Sequence, residues 1–414
     1  MSSEETGTLV IGGGQAGIAA SEHLTRLGQP HIVVERARVA EHWRTRRWDS
    51  LVANGPAWHD RFPNQTFSHT APDAFAPKEE VADYLVRYAE NFAAPIRTGV
   101  DVRRLTRAAD GRFVAETDGG DTIIAHNVIV ATGAFHTPVI PPLIPDSAGL
   151  EQIHSADYRN PAQLPAGGVL VIGAGSSGVQ IADELNRAGR PTWLAVGPHN
   201  RPPRRYRGRD FVWWLGVLGQ WDEKPVETSG PHVTIAVSGA HGGATVDFRE
   251  LAASGITLVG RATAYADGRL HFSDDLKANI AAGDADYLAT LRQSDAYVAR
   301  EGLDLPEEPE AYVIRPDPPC VSDPAITLDL AAAGITSVVW ATGYASDYGW
   351  IECDVFKPDG SPRHERGVTA VPGLHFVGLP GLSRRASAFI WGVWHDAAWL
   401  ADHIAARETA PIPA

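Results

Sequence analysis

The sequence predicts an α/β fold because one pattern occurs in it twice. Residues 8–35 read TLVIGGGQAGIAASEHLTRLGQPHIVVE: an apolar strand, a Gly-rich turn, a helix-periodic stretch, a stop glycine and a second apolar strand. Residues 168–196, GVLVIGAGSSGVQIADELNRAGRPTWLAV, repeat that order. Strand, GxGxxG, helix and strand together form the unit of the doubly wound, three-layer, Rossmann-like dinucleotide-binding fold. The length of 414 residues suggests two or three domains, and two such units predict two dinucleotide-binding domains, the smaller inserted in the larger. The larger takes residues 1–165 and 336–414, and the insert 166–335.

In the first unit Gly12 permits the tight turn. Gly14 lets the backbone approach a pyrophosphate, and Gly17 lets helix and strand pack closely. The phosphates belong at the helix N-terminus, beside Gln15 and Ala16, where free N–H groups and the helix dipole favour anions. Glu35 lies 23 positions after Gly12, where a carboxylate accepts from ribose hydroxyls, and Arg36 follows it. A lone GxGxxG is a weak signal, because an ordinary βαβ turn in an unliganded sheet also uses glycine. Here the strand, helix, second strand and terminal acid are all in place.

In the second unit Gly173, Gly175, Ser176, Ser177 and Gly178 take the same places. The acid position holds Val196, and Arg201, Arg204, Arg205, Arg207 and Arg209 follow. A ribose without a 2′-phosphate wants a carboxylate there, whereas a 2′-phosphate wants arginine. Arg201, Arg204 and Arg205 are therefore candidate phosphate contacts, and NADP is favoured over NAD. The bland alternative for these arginines is a solvated loop.

Between and around the units the chain reads as follows. Residues 37–76, rich in Trp, Arg and Pro, read as an ordered loop near the first nucleotide or as a surface loop whose tryptophans pack locally. Residues 78–92 form an amphipathic helix with Val81, Leu85, Tyr88 and Phe92 on one face. Residues 96–105, 112–117 and 122–125 read as a small antiparallel meander, with turns at Asp110-Gly111 and Gly119-Gly120. Residues 127–131 form a buried strand ending in Ala131-Thr132-Gly133, and 138–145 a Pro-rich connector. The aromatic stretch 209–221 reads as a core helix, a dimer contact or a wall of the substrate entrance. Strands follow at 257–259 and 269–272, a helix at 284–301 and a connector at 306–324. Residues 337–341 are a strand running into Ala341-Thr342-Gly343-Tyr344. A last strand at 374–377 and a last helix at 386–404 complete the chain.

Composition excludes several classes. The net charge of −14 argues against a nucleic-acid binder, because no basic excess is present to neutralise phosphates; solubility is the simple reason for the acidity. Cys320 and Cys353 are the only cysteines and form no CxxC, so a disulfide framework, a Cys-rich metal site and a dithiol redox centre are excluded. No metal-ligand set is proposed. The start, MSSEETG, is polar and acidic and reads as no signal peptide, and no apolar run reaches about 18 residues. A cytoplasmic protein without membrane contact is expected, and a homodimer is compatible with the aromatic stretch.

A protein with two redox nucleotide sites passes a hydride from nicotinamide to flavin; the first site, with its terminal acid, reads as FAD. The two GxGxxG turns, the two ATG strand ends and His154-Ser155-Ala156-Asp157-Tyr158 together resemble class B flavin-containing monooxygenases over nearly the whole chain. His154 and Tyr158 match the end of the family's joining motif, while Ala148 and Leu150 stand where the family has Phe and Gly. A hinge role suits His154 better than chemistry. Trp43-Arg44 is similar to the family's tryptophan loop near FAD, with Glu41-His42 in place of a glycine pair. Asn54, in LVANGP, resembles the flavin-facing asparagine and is the candidate catalytic residue; the plainer role is to cap the turn at Gly55-Pro56. Val102, the two ATG ends with Tyr344, and Phe389 complete the cofactor set that the resemblance implies. Leu379 replaces the Asp that disulfide reductases use for the ribityl chain.

The resemblance implies that NADPH reduces FAD, that reduced flavin reacts with O₂, and that a carbon-4a (hydro)peroxide oxygenates a small organic substrate at nitrogen, sulfur or a ring position. Two rivals share the same sites. One is an NAD(P)H-dependent flavin oxidase or reductase without oxygenation. The other is an electron-transfer reductase, which needs a basic docking face; residues 201–209 are the candidate.

Overall fold

The first parallel sheet is built from apolar strands buried on both faces. In the computed structural model, which describes residues 2–224 and 233–409, its order is Ile96–Thr98, His31–Glu35, Ser3–Ile11 and Thr122–Val130. Thr122–Val130 then serves two neighbours on its far side. Its first half pairs antiparallel with Phe113–Thr117, and its second half pairs parallel with Leu374–Phe376. Val102–Arg107 closes the meander.

Alternation along the strands divides the core. Val10, Val33 and Ile129 face the helices Gln15–Arg26, Lys78–Asn91 and Ile390–Thr409. Leu9, Ile11, Val34, Val128 and Val130 face the other way, onto Phe113 and Ala115 of the meander and onto Tyr348, Ile351 and Val355.

The second sheet is parallel throughout: Thr257–Val259, Thr192–Ala195, Gly168–Ile172, Ile335–Trp340 and Glu151–His154. Its strands therefore run past the range 166–335 at both ends. Val169, Val171, Leu194 and Val339 pack on Ser176–Arg187, Phe248–Ala253 and the start of Leu276–Glu301. Leu170, Ile172, Val338 and Trp340 pack on the antiparallel strands Ala262–Ala266, Arg269–Phe272 and Thr327–Asp329. Both units are α/β, with helices on one face and a β-meander as the third layer.

Several expectations are corrected here. Residues 96–105 are two strands, because Gly99 turns the chain at φ +73° and sends Ile96–Thr98 into the parallel sheet. Residues 122–131 form one strand through residue 130, shared by the meander and the parallel sheet. The helix placed at 284–301 starts at Leu276; Gly283 lies inside it because the His199 ring fills the space where a Cβ would stand. The aromatic stretch forms the helix Phe211–Val217, capped by Asp210, whose side chain accepts from the Val212 N–H. Trp214 is fully buried against Tyr206, Leu291 and Val298, so the stretch is mainly core. Among the described residues no helix is long and apolar enough to cross a membrane.

Candidate active site between two glycine-rich turns

Both turns have the same skeleton. Gly12 has φ +115° and Gly173 φ +109°, a region open to glycine. A Cβ on Gly12 would stand 2.6 Å from the carbonyl of Ala131, and one on Gly173 2.4 Å from that of Ala341. Each ATG strand end is thus pressed against the first glycine of its turn. A Cβ on Gly17 would lie 1.8 Å from the Gly12 carbonyl, and one on Gly178 1.7 Å from the Gly173 carbonyl. The roles expected for the first and third glycines are therefore written in the packing.

The middle glycines differ. A Cβ on Gly14 would meet nothing within 4 Å. Gly14 also leads into its helix without a side-chain cap, so a space suited to a pyrophosphate lies against the backbone there. Ala16 is buried, and the Gln15 amide donates to the Ala388 carbonyl at 2.8 Å, tying the turn to the segment before Phe389. Glu35 accepts from the N–H groups of Gly13 (2.7 Å) and Ala37 (2.9 Å), which fixes its carboxylate beside the turn. These residues fit an adenine dinucleotide.

A Cβ on Gly175 would instead meet the Thr234 side chain at 3.2 Å. The short strand Thr234–Ile235 pairs with His199–Asn200 and crosses in front of the helix. The Ser176 hydroxyl donates to the Ile235 carbonyl at 2.9 Å and receives the Val237 N–H at 3.3 Å. Ser177 is half-buried beside it. The second turn is built for a dinucleotide and is covered by its own chain.

Asn54 stands between the units. Gln180, on the helix after the second turn, donates through Nε2 to both Asn54 Oδ1 and the Val237 carbonyl, each at 2.9 Å. A carbonyl only accepts, so the Gln180 amide is oriented, and the Asn54 amide is oriented in turn. Asn54 Nδ2 keeps its two donors and makes no hydrogen bond among the described residues. The turn-cap role is not what the side chain performs; the Gly55 N–H goes to Asp60 Oδ2 at 2.9 Å. Asp60 also receives His59 Nδ1 at 2.7 Å. The His59 ring packs between Trp58, Trp221 and Trp391, and its enclosed Nε2 has no partner among the described residues. Sequence reasoning missed this couple, although His59 and Asp60 adjoin in the loop that carries Asn54.

The arginines after Val196 are not gathered at one phosphate position. Arg201 is buried and paired with Asp284 at 2.5 Å, with Arg249 on the other carboxylate oxygen at 2.8 Å. Arg204 is buried against Asp210 and donates to the Asn54 carbonyl at 2.5 Å. A buried guanidinium needs a carboxylate partner, and these have one. Only Arg205 of the three is exposed.

Arg44 is turned to Asp83 (2.7 Å) and Glu79 (3.3 Å), on Lys78–Asn91. Trp43 packs against the cores of both units. Val102 is buried at the start of its meander strand, and Phe389 is exposed, its ring 5.1 Å from Trp221. Arg36, Arg46, Arg47, His42, His136 and Tyr344 line a small basic cavity close to Glu35. Burial, helped by Arg36, Arg47 and Arg46, pulls the His42 imidazole down to about 4. Thr132 bonds His136 at 3.1 Å, and Gly133 and Gly343 take positive φ as each chain leaves its strand.

The hinge role suits the geometry of His154. It ends a strand of the second sheet, its Nε2–H donates to the Gly343 carbonyl at 3.0 Å, and Nδ1 accepts from the Ala156 N–H at 3.1 Å. Tyr158 donates to Glu184 at 2.7 Å. Cys320 and Cys353 are unbridged and belong to different cores.

A model of the family described as pyridine nucleotide-disulphide oxidoreductase matches residues 9–204. An uncharacterized oxidoreductase, CzcO-like, of Geobacillus kaustophilus (strain HTA426) is 32% identical over 400 residues, covering 96% of this chain and 97% of that protein. Indole-3-pyruvate monooxygenase YUCCA1 of Oryza sativa subsp. japonica is 30% identical over 223 residues, 52% of this chain and 54% of that one. Among solved structures, a flavin-containing monooxygenase from Stenotrophomonas maltophilia shares the fold at TM-score 0.67 and 20% identity, over 99% of this chain and 100% of that chain.

Proposed function

We propose that the chain, which belongs to one family with the CzcO-like oxidoreductase, is a class B flavin-containing monooxygenase that binds FAD at the first turn and NADPH at the second and inserts one oxygen atom of O₂ into a small organic substrate. Bound reduced flavin supplies the electrons that divide O₂ between substrate and water. The rest is done by the chain. Gly14 and the first turn of Gln15–Arg26 hold the pyrophosphate, and Glu35 the ribose. Trp58, Trp221 and Trp391 form a wall that excludes water.

The observation that carries this reading is the Asn54 amide, oriented by Gln180 so that two N–H donors point away from its own hydrogen bonds. A preorganised donor in a water-poor cleft stabilises negative charge on oxygen. Residues 234–237 leave the second turn as the nucleotide binds. Arg205 is then the exposed cation for a 2′-phosphate, so the preference for NADPH over NADH is modest.

Electron transfer to a protein partner is less well supported, because most of its candidate docking face is internal: Arg201, Arg204 and Arg207 are buried and paired with Asp284, Asp210 and Asp295, which leaves Arg205 and Arg209 exposed. The deciding experiment supplies ¹⁸O₂ and NADPH with a sulfide, an amine, an indole and a ketone. One ¹⁸O atom in a product is expected; NADPH oxidation that yields only H₂O₂ with every compound contradicts the proposal.

A further inference from the structure

The two turns share a neighbour that neither nucleotide explains. A small, open-mouthed cleft of about 100 Å³ lies between Phe211–Val217 and Leu276–Glu301. Ile235 on one wall belongs to the segment that Ser176 holds over the second turn. Arg385 on the other begins the short turn whose Ala388 carbonyl receives Gln15 from the first. The cleft is therefore walled by segments tied to both turns.

Its lining combines an apolar floor, Phe211, Leu215 and Ile235, with two opposite charges, Asp286 and Arg385. Nearby buried arginines are all matched: Arg201 with Asp284, Arg204 with Asp210, Arg207 with Asp295. Asp286 and Arg385 form no ion pair among the described residues; Arg385 is exposed at the mouth, and Asp286, half-buried, accepts from the Arg201 backbone N–H. The Arg385 guanidinium instead lies 5.9 Å from the Trp221 ring centre. Burial pushes the Asp286 carboxyl up; the Arg201 backbone N–H and the charges of Arg385 and Arg201 work against that rise. A half-buried carboxylate without an ion-pair partner and an exposed guanidinium at one cleft offer a ligand bearing both charges two ends to bind.

We propose that this cleft binds a small zwitterion, its ammonium group on Asp286, its carboxylate on Arg385 and its hydrocarbon part on Phe211, Leu215 and Ile235. That this ligand is also the molecule oxygenated rests on the monooxygenase reading above; its binding does not.

Calorimetric titration of the flavin-loaded, oxidised protein without NADPH separates the two. The probes are L-norleucine and 6-aminohexanoate, with hexylamine and hexanoate as singly charged counterparts. The better zwitterion should bind at least about tenfold more tightly than either counterpart. Asp286→Asn and Arg385→Gln should each weaken it by about tenfold, with flavin content and melting temperature retained as the check on folding. A counterpart that binds as well as the better zwitterion overturns the proposal, as does failure of both zwitterions to bind; the wild-type comparison decides even if a variant misfolds. Zwitterion binding without ¹⁸O transfer to any compound would leave the site in place and remove the oxygenation.

Discussion

The two glycine-rich turns are nearly superposable in what their first and third glycines do, and they differ at the middle one. Gly14 faces open space, whereas Gly175 faces Thr234 at contact distance. Both helices begin with a side chain that holds a crossing carbonyl, Gln15 on Ala388 and Ser176 on Ile235. At the first turn the crossing segment leaves the pyrophosphate position clear. At the second it occupies that position. The same motif thus yields an open turn and a covered one; under the proposed function a flavin stays at the first and a nicotinamide nucleotide comes and goes at the second.

The strongest way to break this comparison is one substitution in each turn. Gly14→Val should give folded, colourless protein with an unchanged melting temperature in the flavin-free state, since the new side chain enters open space. Gly175→Val should destabilise even the ligand-free protein by about 1–3 kcal/mol, because it overpacks against Thr234. Equal melting temperatures would show that the second turn is no more covered than the first.

A second test divides the arginines. Arg204→Ala leaves Asp210 buried and unpaired and should cost about 3–5 kcal/mol in denaturant unfolding. Arg205→Ala should leave stability alone and raise the KM for NADPH, not NADH, by about fivefold. If Arg204→Ala were stable and Arg205→Ala silent, the assignment of roles within residues 201–209 would be reversed.

Loosening the cover is a smaller effect in the opposite direction. Ser176→Ala removes the hydrogen bonds to Ile235 and Val237 from the closed segment, a net loss of about 0.5–1.5 kcal/mol if the longer one adds little. NADPH should bind roughly two- to tenfold more tightly, measured by fluorescence quenching on the oxidised protein. Weaker binding would mean that the hydroxyl serves the nucleotide instead of the cover.

The smallest effect is a control in the first sheet, away from both turns. His375 is buried, neither ring nitrogen has a partner among the described residues, and burial pulls its pKa from 6.5 down to about 3. The unfolded chain therefore takes up the proton first. Stability from the neutral ring is complete above about pH 6.5 and falls as pH drops towards 3. His375→Leu should flatten the melting temperature between about pH 6.5 and 4 and leave nucleotide binding unchanged.

Much of this molecule could be read from the chain, because periodicity and glycine spacing report local packing. Both turns, both ATG ends and the helix on Lys78–Asn91 lie where the pattern put them. What escaped depended on distant partners. Thr122–Val130 looked like two strands because its halves pair with different neighbours. The burial of Arg201 could not be foreseen, since its partner Asp284 lies 83 positions away, on Leu276–Glu301, whereas the partner of Arg204, Asp210, is close in the chain. Residues 233–238 carry no motif, yet they cover the second turn. The orientation of the Asn54 amide was not legible in the chain, because it is set by Gln180 and Val237, far along the sequence; its proposed donor role came only from the resemblance.

Asn54→Ala offers the most direct measurement of the central claim, using whichever panel compound the wild-type protein oxygenates. The variant should retain flavin and be reduced by NADPH at an unchanged rate. Losing the donor costs about 1–3 kcal/mol, so oxygen transfer should fall roughly five- to a hundredfold against release of H₂O₂. H₂O₂ should then account for nearly all the NADPH consumed. Full coupling of NADPH to oxygenated product in Asn54→Ala would contradict the account, and loss of flavin would make the role of Asn54 structural.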